Sequence, residues 1–294
     1  YFRIDHTGTS EAEGDALIEN GKAQFLIVIP PDFSRSVVRG EHPALLVSVD
    51  ATDPSASGNA IAALNAVAGQ ALRQDLQGPL RSLQTAPAPY EVRIHRRYNP
   101  EGLSRYNIVP GLIGTILTMT MVMLTGLAMT RERERGTMEN LLATPVRPSE
   151  VMVGKILPYV VMGYIQLGVI LLAAFALFQV PMEGSMLLLM AMIGVFIIAN
   201  LAVGFTFSTI ARNQLQAMQM TFFFFLPSML LSGFMFPFRA MPVWAQRVGE
   251  VLPLTHFLRI VRGILLKGNS APQVLGEMWP MLAFMTVVSV VALK

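Results

Sequence analysis

The chain contains no cysteine. Disulfides, thiolate metal sites and a cysteine nucleophile are thereby excluded, while the compartment stays open. Charge is also scarce: 14% of the 294 residues are Asp, Glu, Lys or Arg, against about 25% in soluble domains. The net charge is only +3, too little for a nucleic-acid surface. His6, His42, His95 and His256 are scattered and no H-E-x-x-H occurs, so no metal site is expected. The phosphate-loop pattern G-x4-G-K-[ST] is absent as well. Its nearest match, ending at Gly154-Lys155-Ile156, lacks the first glycine and the Ser/Thr. No catalytic, cofactor-binding or metal-binding residue is therefore expected, and a machine built from this chain needs its energy from elsewhere.

What fills the deficit is apolar: 53% of the residues are hydrophobic. The windows 106–130, 156–182, 184–211 and 213–238 carry no charge, and each exceeds the roughly 20 residues that cross a 30 Å hydrocarbon core. A shorter window, 278–293, runs to the chain end. The expected spans are about 107–130, 156–181, 186–211, 215–237 and 276–294. No Asp, Glu, Lys or Arg falls inside a window, so no proton relay or intramembrane ion pair is expected.

Residues 1–105 are of different material. Gln24-Phe25-Leu26-Ile27-Val28-Ile29 is a compact apolar run stopped by Pro30-Pro31, and Ala44-Leu45-Leu46-Val47-Ser48-Val49 is a second run; both predict strands. Asp32 is placed to cap a short helix ending at Gly40. Ser55 or Ser57 opens a longer helix, in which Ile61, Leu64, Ala68 and Leu72 recur on one face. Tyr90 to His95 alternates as a third strand. This order predicts a small α/β domain.

Between the first two apolar windows stands Arg131-Glu132-Arg133-Glu134-Arg135. A charge at the centre of a membrane helix costs about 2.5–3.5 kcal/mol, so this run must be a water-exposed joint, here taken as 131–155. Arg131, Arg133, Arg135, Arg147, Lys155 and, two spans later, Arg212 put positive charge on one side, which predicts a cytoplasmic joint. Arg239, Arg247, Arg259, Arg262 and Lys267 cut against that orientation, since helix parity puts them opposite; short loops weigh more in the rule. Residues 1–105 then lie on the periplasmic or extracellular side, and 238–274 forms an outer re-entrant segment of short helices broken by Pro237, Pro242 and Pro253.

The joint, continuing through Gly136-Thr137-Met138-Glu139-Asn140-Leu141-Leu142-Ala143-Thr144-Pro145 to Gly154-Lys155-Ile156, closely resembles that of type-2 ATP-binding-cassette (ABC) exporter permeases, multidrug type with a large periplasmic domain. Ile29-Pro30-Pro31-Asp32-Phe33-Ser34, Asp50-Ala51-Thr52-Asp53-Pro54, Tyr98-Asn99-Pro100-Glu101, Val109-Pro110-Gly111, Leu231-Ser232-Gly233-Phe234-Met235-Phe236-Pro237 and Leu252-Pro253-Leu254-Thr255-His256 extend the likeness over nearly the whole chain. The resemblance implies a polytopic α-helical membrane protein with an N-terminal α/β extracytoplasmic domain, five spans visible and six in the full chain. It implies export of drugs or other hydrophobic compounds through the inner (plasma) membrane. Its partners would be a cytoplasmic ATP-binding subunit that holds ATP and Mg, a second permease, identical or a paralogue, and a periplasmic adaptor. No cofactor is expected in this chain.

Within the joint, Gly136 permits a bend, Thr137 can cap a helix with Glu139 in its first turn, Leu142 sits on the apolar side and Pro145 ends the element. Arg131, Glu132, Arg135, Gly136, Thr137, Glu139, Leu142 and Pro145 are the candidate ATPase-coupling residues; the bland alternative is a solvated run that only stops insertion. Phe222, Phe223, Phe224 and Phe225 cover every face of a helix, and with Asn200 they form a candidate translocation or dimer surface. Asn200, Gln166, Thr115, Thr118 and Thr206 are otherwise expected to bond between helices. A rival reading is a membrane-anchored sensor or adaptor whose outer α/β domain binds a ligand or partner.

Overall fold

The structure is a computed structural model and describes residues 2–72, 76, 88–135 and 148–292. The chain divides into two compact units, Tyr1–Tyr106 and Asn107–Lys294.

The first unit is built on a three-stranded sheet, β1 (Phe25–Val28), β2 (Ala44–Asp50) and β3 (Glu91–Arg97), in the order β1-β2-β3. β1 pairs antiparallel with β2, Phe25 opposite Val49. β3 runs parallel to β2, Ala44 opposite Glu91, as the crossover through a helix requires. α1 spans Glu11–Glu19, α2 Phe33–Val38 and α3 Pro54–Ala71. Val47, Val49, Ile61 and Leu64 make the core beneath α3, with Phe25, Leu45, Val92 and Ile94 around them. Strand side chains alternate in direction, so Leu26 and Arg97 point to the other face. There α1 covers them: Leu26 packs on Gly14, where a Cβ would strike its side chain, and Arg97 pairs with Asp15 at 2.8 Å.

Sequence patterning missed α1. Its signal was a capping box, with Ser10 Oγ accepting from the Glu13 amide and Glu13 accepting from the Ser10 amide. The caps expected elsewhere also shift. Asp32 precedes α2 in the left-handed region (φ 60) and its side chain caps nothing; it accepts from Arg35 at 3.1 Å instead. α3 begins earlier than Ser55, because Asp53 accepts from the Ser55 and Ala56 amides and Pro54 suits the first helical position. After β3, buried Asn99 holds both the amide and the carbonyl of Leu103, at 2.8 and 3.1 Å, shaping the turn ahead of the next helix.

The second unit is helical: α4 (Arg105–Glu134), α5 (Pro148–Ala176), α6 (Met186–Ile210), α7 (Gln214–Leu231), α8 (Val243–Gly249), α9 (Pro253–Arg262) and α10 (Ala271–Ala292). Among the described residues four stretches are long and apolar enough to cross a membrane: Arg105–Glu132, Ile156–Ala176, Met186–Ile210 and Ala271–Ala292. α7 falls short of that measure, because Gln214, Gln216 and Gln219 crowd its start and it closes at Leu231, before Gly233 turns the chain at φ 85.

α6 is the central helix. Leu189, Ile193, Phe196, Ile197 and Leu201 are fully buried on it, and Phe196 stacks on Phe257 of α9 with ring centres 3.8 Å apart. α9 lies inside the unit and not along its surface: Leu254, Phe257 and Leu258 are fully buried, and a Cβ on Gly114 of α4 would meet all three within 3.2 Å. Trp244, in α8, stays exposed. α4 and α6 touch backbone to backbone at Gly204, where a Cβ would stand 2.5 Å from the Val122 carbonyl oxygen, the close approach that small residues permit between membrane helices.

Contacts fix the two ends of this unit. At one end the Glu183 amide donates to the Leu265 carbonyl at 3.1 Å. Leu265 belongs to a π-helical turn, Gly263–Lys267, closed by left-handed Gly268. At the other end Glu134 meets Gln214.

Candidate functional site

The charged run continues α4 beyond its apolar length. Membrane-length helices end where the chain must leave lipid, and Arg131, Glu134 and Arg135 are accordingly exposed, with Glu132 half-buried. Glu134 then turns onto α7. Its carboxylate accepts from the Gln214 backbone amide at 2.8 Å and from the Gln214 side-chain amide at 2.5 Å. A helix start leaves amides unsatisfied and carries partial positive charge, so a carboxylate belongs there. Two further amides are held locally: Asn213 accepts from Gln216, and Gln216 accepts from Arg212, both at 2.8 Å. The hydrogen bonds from the Gln214 side chain and backbone hold the Glu134 carboxyl below its ordinary range.

Of the eight coupling candidates, Arg131, Glu132 and Arg135 are therefore at this end of α4. Gly136, Thr137, Glu139, Leu142 and Pro145 lie outside the described residues. Sequence reasoning passed over Glu134, whose partner is 80 residues away.

The phenylalanines divide. Phe222 and Phe223 are exposed, Phe223 by 80%. Phe224 turns inward, edge-on to Phe207 of α6 and near Phe284 of α10, with centres 6.0 and 6.5 Å apart. Phe225 is half-buried. Asn200 is fully buried on α6 and apart from them. Its Nδ2 donates to the Phe196 carbonyl of its own helix at 2.9 Å, while Oδ1 is buried without a partner.

The interior hydroxyls correct a further expectation. Thr115 and Thr118 bond back to the carbonyls of Gly111 and Gly114 on their own helix. The bonds that do cross helices join Thr120 to Gln166 at 2.9 Å, Tyr164 to the Met190 carbonyl at 3.1 Å and Thr206 to the Val288 carbonyl at 3.2 Å.

One charged group also breaks the expectation of charge-free spans. Glu277 lies inside α10, and it pairs with His256 at 2.6 Å and Arg259 at 3.3 Å, both from α9. The apolar window was read as starting after Glu277; the helix starts at Ala271.

Long apolar helices packed through glycine crossings, with a charged run between two of them, define a multi-pass membrane protein. The chain belongs to the ABC-2 family transporter proteins, whose family model matches residues 1–294. It is the membrane permease subunit of an ABC exporter, a class that works with an ATP-binding subunit. Similar proteins include the probable multidrug ABC transporter permease YbhS of Escherichia coli (strain K12), 32% identical over 255 residues that cover 86% of this chain and 67% of that one. YbhR of the same strain, likewise named a probable multidrug ABC transporter permease, is 30% identical, covering 90% and 71%. The inner membrane transport permease YhhJ of Escherichia coli (strain K12) is 34% identical, covering 87% and 68%.

Proposed function

We propose that this permease moves drugs or other hydrophobic compounds out across the inner (plasma) membrane, using ATP hydrolysed with Mg on a separate cytoplasmic subunit. The substrate class follows the names of the relatives, two of which are called multidrug permeases. Residues 131–155 seat the ATP-binding subunit, residues 1–105 face the periplasm or exterior, and the working unit pairs two permeases, with an outer adaptor as a further partner. The permease has no nucleotide site of its own.

The observation that carries the coupling part is the Glu134 grip on Gln214. A displacement of the joint by the ATPase reaches α4 directly through its own helix, and reaches α7 through this carboxylate. α7 in turn carries Phe224 against α6 and α10, so these helices receive the stroke as well. The test is reconstitution of the permease with its ATP-binding subunit in proteoliposomes, comparing wild type with Glu139→Lys and Leu142→Asp. Both variants should insert normally while losing ATP-driven export of a hydrophobic dye. Normal export and normal ATPase binding by both would refute the coupling role. Coupled ATPase activity that no hydrophobic compound stimulates would refute the substrate class alone.

A further inference from the structure

The cluster at the α9–α10 contact is built from four charged side chains. His256 is almost fully buried, 4% exposed. Its Nδ1 stands 2.6 Å from Glu277 Oε2, and its Nε2 stands 2.8 Å from the Glu250 carbonyl oxygen. Arg259 bridges the two carboxylates, with Nη2 2.6 Å from Glu250 Oε1 and Nη1 3.3 Å from Glu277 Oε2. It also lies over the Phe238 ring at 4.8 Å.

Both ring nitrogens of His256 thus face oxygens that can only accept when Glu277 is ionised. A neutral imidazole has one N–H. Whichever nitrogen carries it, the other would set a lone pair against an acceptor at hydrogen-bond distance in a buried place. One additional proton resolves the conflict, either on the ring or on the Glu277 carboxyl. We propose that His256 and Glu277 form a proton-binding site, which locks α9 to the start of α10 while one proton is held between them.

Charge balance points the same way. With the proton, His256 and Arg259 offset Glu250 and Glu277 and the cluster is neutral. Without it the cluster carries one uncompensated negative charge in a partly desolvated place, which is unfavourable. Of the long helices packed against α9, α6 and α7 contain no charge, and α4, which meets it at Gly114, carries its charges at its two ends, Arg105 and the run from Arg131. On the local segments, Arg262 donates to the Gly233 carbonyl at 3.3 Å, and Lys267 stands at the end of the π-helical turn. Burial opposes charge on His256, but the hydrogen bonds to Glu277 and to the Glu250 carbonyl outweigh it, so the imidazole is held above its ordinary value.

The linkage has a definite sign. A histidine whose folded value is raised stabilises fully below its unfolded value, about 6.5, and loses that contribution as pH climbs through the raised one. The lock is therefore closed under mild acid and released under alkali. Under the orientation proposed above it faces the exterior, so it reports the outer pH; neither measurement below depends on that orientation or on export.

The direct test is a pH titration of the full-length permease in lipid nanodiscs, with ¹⁵N-labelled histidine and His256 identified by its loss in His256→Gln. The expected result is an imidazolium signal at neutral pH, and a midpoint that falls in Glu277→Gln. A His256 that is neutral at neutral pH with Glu277 ionised, or a midpoint that Glu277→Gln leaves in place, overturns the site. Thermal melting supplies the second readout and needs no His256 variant. The wild-type melting temperature should fall as pH rises from about 6.5 to 9, and the fall should flatten in Glu277→Gln. A wild-type profile that stays level or rises over that range also overturns it.

Discussion

Glu134 and Gln214 are 80 residues apart in sequence, yet one carboxylate takes both the backbone amide and the side-chain amide of Gln214. The last acidic residue of the charged run is thereby the N-terminal counter-charge of another helix. Glu134→Ala should leave the melting temperature nearly unchanged, because the contact is at the surface, and should lower substrate-stimulated ATPase activity while the ATP-binding subunit still co-purifies. Undiminished stimulation would show that α7 takes no drive through this contact. Since the Glu134 carboxyl is held below its ordinary value of 4.5, its contribution is present above that pH and is lost only as pH falls through the lowered value. Mild acidification to about pH 5 should therefore leave the wild type coupled through this contact.

At Gly204 the smallest possible addition meets main chain, not a movable side chain. Gly204→Ala puts a carbon 2.5 Å from the Val122 carbonyl oxygen, so α4 and α6 must separate. Overpacking of this kind costs about 1–3 kcal/mol. Gly168→Ala on α5 meets nothing within 4 Å and should melt at or slightly above the wild-type temperature. Thermal melting of the two variants side by side separates a packing requirement from a general intolerance of helix glycines.

Phe223 and Phe224 are neighbours with opposite surroundings. Phe224→Ala removes the ring that meets Phe207 and Phe284, and should destabilise by on the order of 2 kcal/mol, less than a fully buried phenylalanine. Phe223→Ala, at an 80% exposed site, should melt like wild type. If Phe223 serves the proposed translocation or dimer surface, its loss instead changes export or permease pairing, read by dye efflux and by cross-linking.

Asn200 offers a test of function against packing. Its Oδ1 is buried without a hydrogen bond, and a group in that condition costs about 1–3 kcal/mol. Asn200→Leu, which keeps the number and branching of the side-chain heavy atoms, removes the unpaired oxygen and should hold or raise the melting temperature. Retained stability with diminished export would assign the amide a role in transport; retained stability with unchanged export would make it dispensable.

Asp53 accepts from two amides at the start of α3. Asp53→Ala should weaken the helix start by about 1 kcal/mol. Hydrogen exchange at Ser55 and Ala56 should then quicken about fivefold.

The apolar helices and the strands were legible because each announces itself within its own stretch of sequence. Met186–Ile210 fills the uncharged window 184–211, and Ala44–Asp50 matches its apolar run. What escaped depended on residues distant in the chain, or on backbone detail. Glu277 read as the border of a span because a lone carboxylate is costly in lipid. Folding brings His256 and Arg259 to it from 21 and 18 residues away and removes the reason to exclude it. Glu134 read as one more charge of the water-exposed joint for the same reason. Asp32 has the right identity for a cap, but its left-handed backbone aims the side chain elsewhere. α1 was hidden in a polar segment whose helix signal lies in its cap, with only Gly14 and Ile18 buried.

The joint between Glu183 and Leu265 is made by main-chain atoms, and the fit around it depends on two glycines. A side chain at Gly184 would collide with the Ile264 carbonyl, 2.6 Å from its first carbon, and one at Gly268 would crowd the Glu183 carbonyl at 3.3 Å while occupying a left-handed backbone. Exposed side chains here, such as Glu183 and Ser270, can therefore change while the fastening persists. A saturation scan of 181–185 and 263–270 should return Gly184 and Gly268 as intolerant beside the buried Gly263, Ile264, Leu265 and Leu266, with the exposed Glu183 and Ser270 free to vary, so that the outer side chains can diversify without loosening the helices they connect.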